Sequence, residues 1–210
     1  MGLEIAALAP ELGFDLASGI DKGQTVADLK AADCNVIIDF SLPEATTDVV
    51  SWCVSQRKPL VSGVTGISET HKMALKRAGE QIPVLWAPNM SLGIAVLAMV
   101  LAGLNKLEGY EFQIEELHHS QKKDKPSGTA LFLQDRLEAA VGRECPEPLA
   151  IRGGGIFGIH RIWAMGAEET LTFEHTAMNR RVFARGALKA ALWLLTQSPG
   201  LYSLDDMLGA

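Results

Sequence analysis

The chain has 210 residues, 48% hydrophobic and 21% charged, with Lys+Arg 19 against Asp+Glu 25 for a formal net charge of −6. Such a balance fills a buried core and excludes intrinsic disorder, and its acidic sign argues against a general binder of nucleic acid or anionic membrane. The uncharged apolar stretch Ile94 to Leu104 is shorter than the roughly 20 residues a bilayer takes, the opening lacks a basic leader, and Cys34, Cys53 and Cys145 share no metal-ligand spacing, so the expectation is a cytoplasmic globular protein with reduced thiols.

In chain order, Cys34 to Phe40 carries a continuous Val36-Ile37-Ile38 run, as a strand covered on both faces does. A helix is expected from about Glu44 to Gln56, with Ser41 as its N-cap. Pro59 to Gly63 reads as a second strand. A helix then runs from Ser68 and Glu69 to Gly79, which serves as its stop. Ile82 to Ala87 is a third strand, and Ser91 to about Leu107 a long apolar helix. This alternation implies right-handed crossovers and a parallel α/β sheet, whose ligands bind at the carboxyl ends of the strands. Those ends are Asp39 to Ser41, Gly63 to Gly66 and Ala87 to Ser91. Further on, Phe112 to Leu117 and Thr170 to His175 alternate apolar with polar, the pattern of a sheet with one open face. Between them lie a helix at Thr129 to Val141 and the triplet Gly153-Gly154-Gly155. An Ala/Leu-rich helix follows from Val182 to Thr196.

Chemistry concentrates in His118 to Ala130, where two of the five histidines and three lysines (Lys122, Lys123, Lys125) crowd into an acidic chain. Pro126-Ser127-Gly128-Thr129 then opens a helix, whose free N–H groups beside a hydroxyl make an anion site. Lysine ammonium groups with these amides suit a small dicarboxylate, and an imidazole is the group to exchange a proton near neutrality. Two other readings of the segment stay open: a solvated basic turn, or a metal site drawn from Glu115, Glu116, His118 and His119. Neighbouring strand residues point to opposite faces, which argues against one ion collecting both imidazoles. Ser120 and Lys123 match a serine acyl-enzyme pattern whose partner motifs are missing. His175, beside Leu171 and Phe173, reads as a core or interface histidine, and His160 is expected near a loop.

Glu116-Leu117-His118-His119, followed by Lys122, Asp124 and Pro126-Ser127-Gly128-Thr129-Ala130, resembles the signature of the dihydrodipicolinate reductase family. The resemblance runs on in order through Asp39-Phe40-Ser41, Gly63 to Gly66, Ala87 to Ser91, Gly158-Ile159-His160 and Phe183 to Leu188. It implies reduction of 4-hydroxy-tetrahydrodipicolinate by NADH or NADPH in lysine and diaminopimelate biosynthesis. It further implies a Rossmann-like domain over 1–90 and 181–210, a substrate-binding and tetramerisation domain over 91–180, and a cytoplasmic homotetramer. By resemblance His118 is the general acid and Lys122 the second catalytic group, with His119, Gly128 and Thr129 on the substrate carboxylates. Gly63, Val64 and Thr65, then Ala87, Pro88, Asn89 and Met90, fall on turns that contact the nicotinamide half of the cofactor. Asp21 matches the acid at the adenine ribose, Lys22 stands beside it, and Arg180 has no assigned role. The family's opening G-x-x-G-x-M-G survives only as Met1-Gly2, with Gly2 as its remaining cofactor contact, and Asp21 follows at close to the spacing of about 20 expected of the ribose acid. The expectation is that the first strand and most of the glycine loop are missing. A second function class is therefore carried: a non-catalytic dicarboxylate-binding or assembly remnant without a working cofactor site.

Overall fold

The computed structural model describes residues 1–20, 23–30 and 33–209. Its elements in chain order are α1 (Gly2–Leu8), β1 (Ile37–Asp39), α2 (Thr46–Gln56), β2 (Leu60–Ser62), α3 (Glu69–Gly79), β3 (Pro83–Trp86), α4 (Leu92–Leu101), β4 (Glu111–His118), α5 (Gly128–Val141), β5 (Leu149–Arg152), β6 (Gly158–Met165), β7 (Thr170–Ala177), α6 (Arg181–Leu194), β8 (Gly200–Tyr202) and α7 (Leu204–Leu208). They form two compact units, Met1–Ser91 with Arg181–Ala210, and Leu92–Arg180. Among the described residues no helix is long and apolar enough to cross a membrane.

The first unit is a parallel sheet in the order β1-β2-β3-β8. β2 is buried along its whole length, which is why its sequence is a plain apolar run rather than an alternating one. Val49, Val50 and Cys53 of α2 and Leu75 and Ala78 of α3 pack with Leu60 and Val84. Ala184 and Leu188 of α6 join Ile5 and Leu8 of α1 in a second cluster that takes in Ile38 and Phe40. Each such aliphatic side chain contributes about 1.5–3 kcal/mol on burial. Burial also raises the Cys53 thiol to about 12, ahead of the nearby Asp39, so this cysteine is inert packing.

Two expectations about helix ends are corrected. Ser41 does not cap α2: Pro43 starts a short 3-10 turn through Ala45, which becomes the N-cap with no side-chain bond. The Ser41 N–H instead donates to Asp39 Oδ1 at 2.8 Å, closing the turn at the end of β1. Gly79 is not a left-handed stop for α3. The helix caps at Glu80 in right-handed conformation, and Gly79 is small because an added methyl would stand 2.8 Å from the Leu201 backbone nitrogen of β8. Ser68 caps α3 as expected, its Oγ accepting the His71 N–H at 3.3 Å.

The second unit is a mixed sheet, β5-β4-β6-β7, with only the β4–β5 pair parallel. Phe112, Ile114, Ile162 and Ala164 face Ile94, Leu97 and Leu101 of α4 and Leu133 and Leu137 of α5. The opposite face carries Arg161, which bridges Glu115 and Glu174. The apolar helix expected to reach Leu107 ends as α at Leu101 and tightens into a 3-10 turn over Ala102–Lys106, where Gly103 and Asn105 lower helix propensity. His160 is not near a loop. It is the third residue of β6 and 4% exposed, paired in register with Glu116 and His175.

Candidate active site

β4 begins as ordinary alternation, with Phe112 and Ile114 on the buried face, and then puts Glu116 and His118 at the next two buried positions. Glu116 is fully buried, a costly place for a carboxylate without partners. Arg152 at the end of β5 grips both oxygens, Nη1 to Oε2 at 2.9 Å and Nη2 to Oε1 at 2.7 Å. The Ser127 N–H donates to Oε1 at 3.1 Å, and Nδ1 of His118 bonds to Oε2. Burial raises the Glu116 carboxyl, but the hydrogen bonds from Arg152 and His118 outweigh it, and the group lies below its ordinary range. Burial lowers His118 more than Glu116 raises it, which favours the neutral imidazole, and a carboxylate partner takes the Nδ1–H and leaves Nε2 as the atom to exchange a proton. Gly158 packs closely against that nitrogen: a methyl there would stand 3.0 Å from Nε2 and crowd it.

Ser127 is the N-cap of α5, its Oγ accepting the Ala130 N–H at 3.2 Å. Gly128 and Thr129 are the first residues of that helix, and nothing stands within 4 Å of where a Gly128 Cβ would be. In the preceding loop Lys122 Nζ lies 2.9 Å from Asp124 Oδ1. Burial raises the Asp124 carboxyl; the Lys122 ammonium, with help from the Gly128 N–H, lowers it further still. The chain's own carboxylate thus lies on a lysine beside the start of α5, the kind of place expected to hold an anion. His119, the first residue past β4, ties the loop down through its N–H to the Ile156 carbonyl at 2.7 Å.

A second imidazole backs the first. The His160 ring centroid is 5.1 Å from that of His118 at 74°, and its Nε2 is 3.4 Å from Ser127 Oγ. His175 follows at 6.4 Å. Burial first, then the positive charges that His118 and His175 can carry, push His160 down to about 3. A folded-state value below the unfolded value of about 6.5 means that the stability is present above that pH and is lost as pH falls toward 3. Unfolding free energies from denaturant titrations between pH 7 and pH 4 should therefore fall, by up to ~1.4 kcal/mol per pH unit from this residue. His160→Gln should flatten the slope; an unchanged slope would refute the assignment.

In the first unit the carboxyl ends of β1, β2 and β3 stand in register, Asp39 beside Ser62 and Ser62 beside Trp86. Gly63 donates its N–H to the Asp39 carbonyl at 2.8 Å and lies under the Phe40 ring, where a Cβ would meet Cε1 at 2.3 Å. Val64 is buried and accepts the Trp86 indole N–H at 3.1 Å, while Thr65 is exposed. The Ala87 N–H bonds the Ser62 carbonyl at 3.1 Å, Pro88 is exposed, Asn89 Oδ1 accepts the Ser91 N–H at 2.8 Å, and Met90 is buried. Gly2 begins α1, and Asp21 and Lys22 lie outside the described residues. The sequence places Glu116 in the family signature and among possible metal ligands, and Ser127 at the helix start, but shows neither as a partner of His118 or Arg152, and it gives Arg152 no role. The signal for Glu116 was a carboxylate on the apolar phase of an alternating strand; Arg152 left none. Among the described residues no group of three His, Cys, Asp or Glu is placed to hold a metal ion.

A parallel strand–helix unit, followed by an open-faced sheet that buries a carboxylate-bound imidazole, is the plan of a nicotinamide-nucleotide-dependent reductase. The family models for the N-terminus and the C-terminus of dihydrodipicolinate reductase match residues 4–90 and 93–208. The 4-hydroxy-tetrahydrodipicolinate reductase of Bdellovibrio bacteriovorus is 51% identical over 209 residues, covering 99% of this chain and 91% of the relative. That of Anaplasma marginale is 39% identical, covering 95% and 85%. The chain belongs to the dihydrodipicolinate reductase family. Its fold is shared with a dipicolinate-bound dihydrodipicolinate reductase from Paenisporosarcina sp. TG-14 (TM-score 0.75, 16% identity, 95% of this chain and 93% of that one). An amine dehydrogenase from Mycobacterium smegmatis shares it less closely (TM-score 0.58, 11% identity, 98% and 92%).

Proposed function

We propose that this chain performs its family's reaction, NADH- or NADPH-dependent reduction of 4-hydroxy-tetrahydrodipicolinate in lysine and diaminopimelate biosynthesis, with His118 as proton donor and Lys122 and the start of α5 as the carboxylate grip. The observation that carries the site assignment is Asp124. Its carboxylate already pairs with Lys122 at 2.9 Å beside the start of α5, so a substrate carboxylate can exchange for it on that ammonium, one ion pair replacing another. One carboxylate of the substrate takes that place, with Thr129 and His119 beside it.

For the cofactor, the ends of β1, β2 and β3 stand in register, and the turns that follow β2 and β3 lie at the carboxyl edge of the sheet, where a parallel sheet receives its ligand. Gly63, Val64, Thr65 and the turn Ala87 to Met90 would hold the nicotinamide half, which supplies the hydride. The protein's part is positional and electrostatic. Lys122 and the α5 amides bind and orient the substrate, and His118 delivers a proton from Nε2 where negative charge builds on the ring. Two substrate carboxylates nearby raise His118 from its depressed value, so the imidazole is protonated when it is needed.

The open face of the second unit, with Leu117, Leu149, Ile151, Ile159 and Trp163 around the Arg161 ion pairs, is where copies of this chain would join as a homotetramer in the cytoplasm. Light scattering of the purified chain tests the number.

The activity is tested by following nicotinamide absorbance with freshly made substrate. Turnover of NADH or NADPH is expected. Binding of dipicolinate without any binding of NADH or NADPH would favour a non-catalytic remnant instead. Lys122→Ala should raise the substrate KM by at least tenfold, the loss of a charge-assisted bond of about 1.5–3 kcal/mol. An unchanged KM would take Lys122 out of the grip.

A further inference from the structure

Behind His118 stand two charged residues that substrate binding does not use. We propose that Glu116 and Arg152 are positioning residues for proton transfer: Glu116 pins the Nδ1–H of His118 so that Nε2 is the exchanging atom, and Arg152 holds the Glu116 carboxylate in the orientation that does so. The inference rests on the reading of His118 as the acid.

The geometry is that of a locked carboxylate. Glu116 receives two bonds from Arg152, at 2.9 and 2.7 Å, and one from the Ser127 N–H at 3.1 Å, so the site left on Oε2 belongs to His118. Arg152 is fixed in turn, donating to the Asp124 carbonyl at 2.6 Å and the Ile151 carbonyl at 2.7 Å. It also stands directly beside His118 in the parallel β4–β5 register. A planar guanidinium fork holds a carboxylate in one orientation, which a lysine cannot do. Without that fork the carboxylate would be free to turn off Nδ1, and the exchanging nitrogen would no longer be fixed.

The charges around His118 act in known directions. On its own strand Glu116 attracts a proton to it. Arg152 on β5 and Lys122 in the following loop, the latter paired with Asp124, repel one. On β6 the buried His160 is neutral through the working range, with His175 behind it on β7. Glu116→Gln therefore leaves burial and two cations acting against the proton. Arg152→Met removes a cation and leaves Glu116 unshielded. The two variants should move His118 in opposite senses, whereas partners with a merely structural role would lose activity with no such split.

The experiment is the pH dependence of kcat, with a parallel nitrogen-15 histidine titration, on the full chain and on four variants. A rate that needs protonated His118 falls as pH rises. That falling limb should move to lower pH in Glu116→Gln and to higher pH in Arg152→Met, by about one pH unit or more each. Limbs that move together, or not at all, would overturn the inference. If Arg152→Met does not fold, Arg152→Lys keeps the charge: kcat should fall while the limb stays, and a displaced limb would count against the proposal. His118→Gln separates the two readings. A limb that survives it refutes His118 as the acid, whereas a limb that vanishes there but does not split elsewhere refutes only the positioning roles.

Discussion

His118→Ala should lower kcat by about 10²–10⁴-fold with substrate saturating, while the KM for the dicarboxylate changes by less than tenfold. The split follows from the division of labour in the site. In the proposed site Lys122 and the start of α5 would hold carboxylates in the ground state, and His118 would act only when charge develops on the ring. Alanine also abandons Oε2 of Glu116, but Arg152 and the Ser127 N–H still hold that carboxylate, so the fold should survive. Steady-state kinetics with a thermal melt of the same sample decides the matter. A loss below tenfold in a folded variant would remove His118 from the chemistry.

Gly186→Ala should be the most destabilising single-methyl change in the first unit. Helix propensity alone would favour alanine at this interior α6 position by about 1 kcal/mol. The packing says the opposite: the new Cβ would lie 1.7 Å from the Met90 carbonyl oxygen and 2.9 Å from its carbon. Both parties are backbone, one in a helix and the other in the turn after β3, so neither can swing aside. Overpacking of this kind costs about 3 kcal/mol or more, which lowers the melting temperature by roughly 6–12 °C for a chain of this size. Because that turn carries Ala87 to Met90, the KM for NADH or NADPH should also rise. A variant that melts at or above the parent temperature would contradict the packing account.

Gly79 and Gly186 show which part of the fold a sequence can display. The strands β1 to β3 were legible because continuous Val, Ile and Leu runs mark a sheet covered on both faces, and α5 because Pro126-Ser127-Gly128-Thr129 is a helix start. Gly79 read as a helix stop, yet its smallness serves a strand more than a hundred residues later in the chain. β5 and β8, of 4 and 3 residues, carry no period of their own and exist through pairing with β4 and β3. β6 was hidden because His160 and Arg161 interrupt its alternation.

The site divides in the same way. His118 and Lys122 were legible because rare residue types crowd into one segment of an acidic chain. Arg152 comes from 36 residues away from Glu116 and His160 from 33 residues away from Ser127, brought in by strand register alone. Glu116 lay in plain view, but only its burial separates a locked partner of histidine from a surface carboxylate. The family resemblance names residues proposed to meet the substrate and gives no role to those that stand behind them.

The most direct test of the dicarboxylate grip is a crystal structure of the chain with dipicolinate. One carboxylate of the ligand should displace Asp124 from Lys122 and lie at the start of α5, with the ring edge within hydrogen-bonding reach of His118 Nε2. Dipicolinate bound elsewhere, with the Lys122–Asp124 pair intact, would contradict the account.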